Sequence, residues 1–247
     1  MFTPQDRDRV RDRVLEWAAS DSRVVAGAVV GSLAHGPGDR FSDLDLTFGL
    51  ADGVPIADVL EDWSRRLTTE FDAVHLFDLP SAAAMYRVFL LRGCLQFDLS
   101  FAPAAEFGAI GPQFRLLFGA AADKTSPAAP SPSHLFGYGV HHAVRARVCI
   151  ERRRYWQAEY WTSAVRDYAL AMACVRLKLS PHYGRGFDDL PDHLRDVAAP
   201  TLVRSVDRAE LLRALRRGAD LLLAEGAAAS ACSPQLTERL RDFMSID

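Results

Sequence analysis

The sequence is poor in the features that mark several classes of protein. Its 247 residues include only four cysteines, which lie far apart and form no C-x-x-C pair. A disulfide framework or a zinc site is therefore not expected. No apolar run is long enough to cross a bilayer, and the charged first residues lack the apolar core of a signal peptide. A cytoplasmic protein without a membrane partner is expected.

Basic residues are not in excess either. The formal net charge is −3, from 29 Lys and Arg against 32 Asp and Glu. A nucleic-acid-binding protein usually has a basic surface, so no nucleic-acid partner is expected. A mildly acidic chain suits a cationic small-molecule partner, and the sequence leaves the oligomeric state open.

Two aspartates follow a Gly-Ser pair near the start of the chain. An apolar run ends in Gly31-Ser32, and after a loop rich in Gly and Pro, Asp43 and Asp45 alternate with leucines. Side chains alternate along a strand, so the two carboxylates project from one face. Their proximity is costly without a cation, and Mg²⁺ prefers such hard oxygen ligands. Gly31 lets a phosphate approach the backbone, and a helix that begins at Ser32 would add a favourable dipole for an anion. An ordinary hairpin with two exposed aspartates is the alternative.

This stretch resembles the signature of the DNA polymerase β-like nucleotidyltransferases, which is Gly-Ser, a short loop and then Ser-Asp-x-Asp, here Ser42-Asp43-x-Asp45. Within that superfamily it most resembles the antibiotic nucleotidyltransferases. The resemblance implies that Gly31, Ser32 and Ser42 position phosphates and that Asp43 and Asp45 hold Mg²⁺, expected as two ions. ATP or another nucleoside triphosphate is the implied co-substrate. The implied reaction transfers a nucleoside monophosphate, with AMP favoured, to a hydroxyl of an aminoglycoside or lincosamide, which releases pyrophosphate and inactivates the drug.

A third carboxylate is predicted on a hairpin. The segments 86–91 and 95–101 alternate around a turn at Arg92-Gly93, and Asp98 shares the polar face of the second arm with Gln96 and Ser100. The resemblance implies a metal ligand, a general base or both on such a strand, and Asp98 is assigned there. One surface aspartate in a hairpin is the alternative.

The composition divides the chain into two domains. The stretch 120–133 is mostly Ala, Pro and Ser and is predicted to be a linker. The predicted fold class is α+β. The resemblance implies that 1–125 is a nucleotidyltransferase catalytic domain with a mixed sheet and helices. It also implies that the predicted helical bundle over 126–247 completes the acceptor and nucleotide site. The predicted helices begin at Pro4 and cover 55–71, 134–150, 155–179, 190–197, 208–225 and 234–244. The charges of the first helix are assigned to a solvated face.

One predicted helix of the second domain is rich in aromatic and acidic residues. Side chains three and four apart are neighbours on a helix, and carboxylates between aromatic rings suit a polycationic sugar through charge and cation–π contacts. The resemblance implies that this domain supplies acidic residues to the acceptor and, in some members, the general base. Glu159 is therefore the rival of Asp98 as catalytic base. The predicted acceptor-binding residues are Trp156, Glu159, Tyr160 and Asp167.

Two further interpretations of this domain stay open. Plain helix packing, with Glu159–Arg166 or Arg166–Asp167 as surface ion pairs, would also explain the helix. The following loop, with Arg185 between two glycines, resembles the loop of streptomycin and spectinomycin adenylyltransferases in which a Gly-Lys pair reaches the triphosphate. Arg185 would replace that Lys and bind the nucleotide's phosphates. A helix end and turn would equally use the glycines.

Two other functions keep the same fold. The acceptor would be a protein or RNA hydroxyl, as in nucleotidyltransferase toxins and antitoxins, or the chain would be a catalytically degenerate nucleotide sensor. Retention of the three carboxylates argues against the sensor.

Overall fold

The computed structural model describes residues 1–124 and 128–245. The chain forms two compact units, Met1–Pro127 and Ala128–Asp247. The predicted domain boundary between residues 125 and 126 lies outside the described residues. The α+β class is confirmed, because a mixed six-stranded sheet with helices precedes a helical part. Over the described residues, no helix is both long and apolar enough to span a bilayer.

The first unit alternates helices with six strands. Its first helix begins as predicted, since Thr3 caps it through a capping box with Asp6 and Pro4 occupies the first turn. The elements are α1 (Pro4–Ser20), β1 (Val24–Val30), β2 (Leu44–Leu50), α2 (Ile56–Phe71), β3 (Val74–Ser81), β4 (Ala84–Leu91), β5 (Leu95–Pro103) and β6 (Phe114–Phe118).

The six strands form one sheet in the order β3-β4-β5-β2-β1-β6. β2 and β5 are parallel, and the other neighbours are antiparallel. The central pair therefore sits between a hairpin on one side and β1 with its edge strand on the other. Because β2 and β5 run the same way, their polar residues lie in matching rows.

One face of the sheet carries the core of this unit. Side chains of β2 and β5 such as Phe48 and Phe101 are fully buried against α1 and α2. The Trp63 ring lies with its centroid 5.1 Å from each of those two rings. Burial of such large rings supplies much of the stability of the unit. The helices thus occupy one face, and the polar residues of the strands project from the other.

The second unit is helical, as predicted. Helices α3 and α4 pack along each other. The Arg176 guanidinium on α4 donates hydrogen bonds to both carboxylate oxygens of the buried Glu225 on α6. The predicted helix 155–179 ends earlier, at Arg176, because Lys178 adopts the left-handed conformation with φ of 60°. The elements are α3 (Pro132–Glu151), α4 (Tyr155–Arg176), α5 (Asp192–Ala198), α6 (Arg208–Ala228) and α7 (Pro234–Ser245).

Candidate active site

The candidate site is built on the polar face of the two parallel strands. Asp45 on β2 is the direct register partner of Asp98 on β5, and Thr47 is the partner of Ser100. Partners in adjacent parallel strands project from the same face, with the strands about 4.8 Å apart. The structure thus brings two of the three predicted carboxylates side by side.

Asp43 is the third member of this cluster. It lies one residue before β2, and its negative charge helps to raise the pKa of Asp98. The main cause of that raised pKa is burial of the Asp98 carboxyl, and a hydrogen bond from Gln96 Nε2 to Asp98 Oδ1, 3.0 Å long, opposes it. Asp43 and Asp98 are therefore close enough for the charge of one to affect the other. The hypothesis of an isolated surface aspartate at position 98 does not fit this arrangement.

Gly31 lies against the same carboxylates. Its φ is +71°, a left-handed conformation that favours glycine, and a Cβ added there would collide with Oδ2 of Asp45. Gly31 and Ser32 form a short 3₁₀ turn that ends at Leu33, and Ser32 is exposed. The helix that would begin at Ser32 is thus only a three-residue turn, which is too short to provide a helix dipole. The backbone of Gly31 lies close to the Asp45 carboxylate, and the binding of phosphate at this turn stays a prediction.

The loop that carries Asp43 is held from behind by Arg7. This side chain on α1 is only 2% exposed, and its guanidinium donates to the carbonyl oxygens of Pro37 (3.0 Å), Asp39 (2.9 Å) and Ser42 (3.0 Å). The prediction that the charges of the first helix are all solvated is wrong for Arg7. Arg7 lies three residues before Val10 and seven before Val14, so the helical spacing placed it on the buried face of α1. The sequence did not reveal what its guanidinium would bind there.

Ser42 is part of the same loop. Its hydroxyl accepts a bond from the backbone N–H of Asp39 (3.0 Å) and donates to the Asp39 carboxylate (3.1 Å). Ser42 is buried, with 9% exposure. Its observed contacts shape the loop before Asp43, and contact with a nucleotide stays a prediction.

Tyr86 on β4 is a site residue that the sequence did not reveal. It is the register partner of Ser100. Burial raises the pKa of the Tyr86 phenol, and the charges of Asp45 and Asp98 raise it further, whereas Ser100 lowers it. The phenol therefore lies within electrostatic reach of the carboxylates. The sequence predicts the hairpin but not its register, and the register is what places Tyr86 on the face of the aspartates.

The donor set has the chemistry of a magnesium site. Across 1–124 and 128–245, no group of three or more His, Cys, Asp or Glu side chains is placed to hold a metal ion, so the three aspartates do not form a three-carboxylate site together. Mg²⁺ usually binds one or two carboxylates and completes its shell with water and substrate phosphates. Asp43, Asp45 and Asp98 supply hard oxygen ligands beside a turn without a side chain at Gly31. These residues fit an ion that binds together with a triphosphate.

The predicted acceptor residues of α4 belong to the second unit. Trp156 and Tyr160 are 78% and 64% exposed. The Glu159 carboxylate accepts a hydrogen bond of 2.7 Å from the Ser163 hydroxyl. Asp167 forms an ion pair of 2.8 Å with Arg166, the pair that plain helix packing predicts. The exposed aromatic rings and the acidic residues do lie along one side of α4, as the helical spacing requires.

A cleft of about 580 Å³ lies beside that side of α4. Asp167 and Tyr168 line it, together with the loop that contains His182 and Tyr183. Arg185 is in this loop and is exposed, with its guanidinium carbon 5.6 Å from the centre of the Tyr183 ring. The glycines on either side of Arg185 lie in a turn, as the alternative of a simple helix end also predicts. The binding of phosphates by Arg185 therefore stays a prediction. The sequence did not reveal that Tyr168 and the loop form a cleft.

Comparisons with known proteins show a distant structural likeness. No protein-family profile matches the chain. No curated protein matches it either. The solved structure of an aminoglycoside 6-adenyltransferase from Bacillus subtilis is similar, with 11% identity over 99% of this chain and 98% of that chain and a TM-score of 0.41. A likeness this distant says nothing about substrates or residue roles in this chain.

Proposed function

We propose that this chain is a nucleotidyltransferase that transfers a nucleoside monophosphate, with AMP from ATP favoured, to a hydroxyl of a small molecule. The observation that carries the proposal is the pairing of Asp45 with Asp98 across β2 and β5, next to Asp43 and the side-chain-free turn at Gly31. Such a cluster of carboxylates is costly in the folded chain unless it binds a cation. Phosphoryl transfer needs this combination of a metal-binding cluster and an open backbone turn.

In this proposal the tasks are divided among the residues, and Asp98 is a candidate for two of them. Asp43, Asp45 and Asp98 would hold Mg²⁺, which when bound neutralises charge on the triphosphate. The backbone of Gly31 and the Ser32 hydroxyl bind the β- and γ-phosphates. Arg7 and Ser42 fix the loop so that Asp43 keeps its position relative to Asp45.

The reaction is a displacement at the α-phosphorus. The acceptor hydroxyl oxygen forms a bond to that phosphorus, and its proton passes to Asp98 or Glu159. The bond from the α-phosphorus to the oxygen that bridges to the β-phosphate breaks, and pyrophosphate leaves. A base must reach the acceptor hydroxyl. Mg²⁺ bound at Asp98 would lower the pKa of its carboxyl, so its roles as metal ligand and as base compete.

The acceptor belongs to the aminoglycoside or lincosamide type in this proposal, and the cytoplasm is its location. The test is release of pyrophosphate from ATP and Mg²⁺ in the presence of each type of drug. Asp45→Asn should abolish drug-dependent release, whereas the matched Asp52→Asn, an exposed aspartate beyond the other end of β2, should not. Equal release by the Asp45→Asn variant and the unaltered chain would contradict the proposal.

A further inference from the structure

The sheet face that bears the carboxylates continues past Asp98 onto the hairpin of β3 and β4. Val88 on β4 is the register partner of Asp98, and Leu90 is the partner of Gln96. Phe77 on β3 is in turn the partner of Val88. Register partners share a face, so these side chains project on the same side as the aspartates. The continuation is apolar.

This apolar strip is exposed. We define it by Val74, Phe77 and Leu79 on β3 and Leu90 on β4, with exposures of 59%, 53%, 54% and 36%. β3 is the edge strand of the sheet. Edge strands of natural proteins usually carry charged residues that prevent association. An apolar edge next to a polar cluster therefore indicates a surface that binds a ligand.

The chemistry of the proposed reaction determines which ligand reaches this strip. The turn at Gly31 follows β1, on the far side of β2 from β5. If the leaving pyrophosphate lies there, the attacking hydroxyl must approach from the opposite side, because attacking and leaving oxygens are roughly in line. That opposite side is the surface of β5, β4 and β3. We infer that the apolar strip binds the body of the acceptor, so the acceptor carries an apolar group beside its reactive hydroxyl.

The charge of the strip distinguishes between the two acceptor types of the proposed function, on which this inference rests. Within β3 and β4, which are fully described, Asp78 is the one acidic residue. It pairs with Arg87 at 2.7 Å on the opposite face, because Arg87 alternates with Tyr86 and Val88. A polycationic sugar needs carboxylates, which this strip lacks. A lincosamide-like acceptor, with an apolar ring attached to a sugar, matches it.

The size of the strip also favours a small molecule over a protein. Its four side chains, about half exposed, present roughly 300 Å² of apolar surface, the size of a functional patch on a monomer. A stable protein complex buries about 800 Å² on each partner. The strip is thus too small for a protein interface of its own.

The experiment compares lincomycin with kanamycin as acceptors for the full chain with Mg²⁺ and ATP. Phe77→Thr and Leu79→Thr keep a residue suited to a strand but remove the apolar surface. Each should raise the KM for lincomycin about tenfold and leave the KM for ATP unchanged. The matched control is Leu116→Thr, since Leu116 is also exposed on an edge strand, β6, at the other side of the sheet.

Binding of Mg²⁺ with a non-hydrolysable ATP analogue separates this inference from the proposed function. If Asp45→Asn loses the binding of the analogue, the proposed nucleotidyltransferase function is supported. If the unaltered chain does not bind the analogue, the proposed function itself is contradicted. If the chain binds the analogue, two results overturn the inference alone. One is the absence of pyrophosphate release with lincomycin, whether or not kanamycin gives release. The other is a KM for lincomycin that the Phe77 and Leu79 variants leave unchanged. Transfer of the nucleotide to added protein in place of lincomycin also overturns it.

Discussion

Asp45 and Asp98 occupy the same register position on the parallel strands β2 and β5. Two ionised carboxylates on strands about 4.8 Å apart repel each other, and burial adds to the cost of charging Asp98. This cost is tolerated in a protein when the pair binds a cation or a substrate. Stability and activity are therefore expected to respond in opposite directions when one charge is removed.

Replacement of Asp98 by Asn tests this opposition. The variant should lose pyrophosphate release about 10²- to 10⁴-fold, yet unfold at a higher temperature in EDTA at pH 7. Because the pKa of Asp98 is raised in the folded state, its ionised carboxylate destabilises that state. The full destabilisation is present at pH values above the raised pKa. The stability gain of the variant should shrink as the pH falls through this pKa towards the unfolded value of about 3.9. Thermal unfolding of both chains across pH 3.5 to 8 measures this stability gain. A variant that is less stable than the unaltered chain at pH 7 would refute the prediction.

Gly31→Ala tests the contact between the turn and Asp45. The new Cβ would meet Asp45 Oδ2 and would impose a left-handed conformation on an alanine, at a cost of about 1–3 kcal/mol. We expect weaker binding of Mg²⁺ with ATP. Gly36→Ala is the control in the same loop, since a Cβ at Gly36 meets nothing within 4 Å. Equal affinities of the two variants would show that the turn has no part in the site.

Arg7 provides a test of how the loop before β2 is held. Arg7→Met removes three hydrogen bonds that the guanidinium donates to buried or partly buried carbonyl oxygens. The free energy of unfolding should therefore fall by about 3 kcal/mol. Amide hydrogen exchange at 37–43 should accelerate. Arg9→Met, at a position whose side chain is 72% exposed on the same helix, should change stability by less than about 0.5 kcal/mol. Unchanged amide exchange in a folded Arg7→Met variant would show that Arg7 does not hold this loop in place.

The sequence revealed much of the framework, because helical and strand periodicities are local. The fold class, the capped start of α1 at Thr3 and the polar faces around Asp45 and Asp98 follow from spacing alone. What periodicity does not determine is register. The carboxylates at 45 and 98 are partners only because β2 and β5 are neighbours and parallel, a choice that involves the whole unit.

The β4–β5 hairpin illustrates this limit. A two-residue turn at Arg92-Gly93 would pair Asp98 with Arg87, which would suggest an ion pair. The structure inserts Cys94 into the connection, with φ of 62°, and pairs Asp98 with Val88. One extra residue moves every β4 side chain to the other face. Tyr86 and the apolar strip reach the site face for that reason, and neither could be assigned to it from the sequence.

The partners of Arg7 and the cleft on α4 could not be predicted from the sequence for another reason. An arginine between hydrophobic residues of an amphipathic helix is usually solvated, and its burial depends on three carbonyl oxygens from a loop about thirty residues away. The cleft arises where Tyr168 meets the loop at His182 and Tyr183. Both features come from contacts that are distant in the chain.

The packing of the helical unit is tested by two glycines of α3, two residues apart. A Cβ at Gly139 would lie 2.5 Å from Leu222 of α6, which is completely buried, whereas a Cβ at Gly137 would meet nothing within 4 Å. Gly139→Ala should therefore destabilise the unit by about 1–3 kcal/mol through overpacking. Gly137→Ala should stabilise it by roughly 0.5–1 kcal/mol, because alanine loses less backbone entropy in a helix. Urea unfolding followed by circular dichroism measures both, and two changes of the same sign would show that α3 and α6 are not packed as closely as Gly139 and Leu222 indicate.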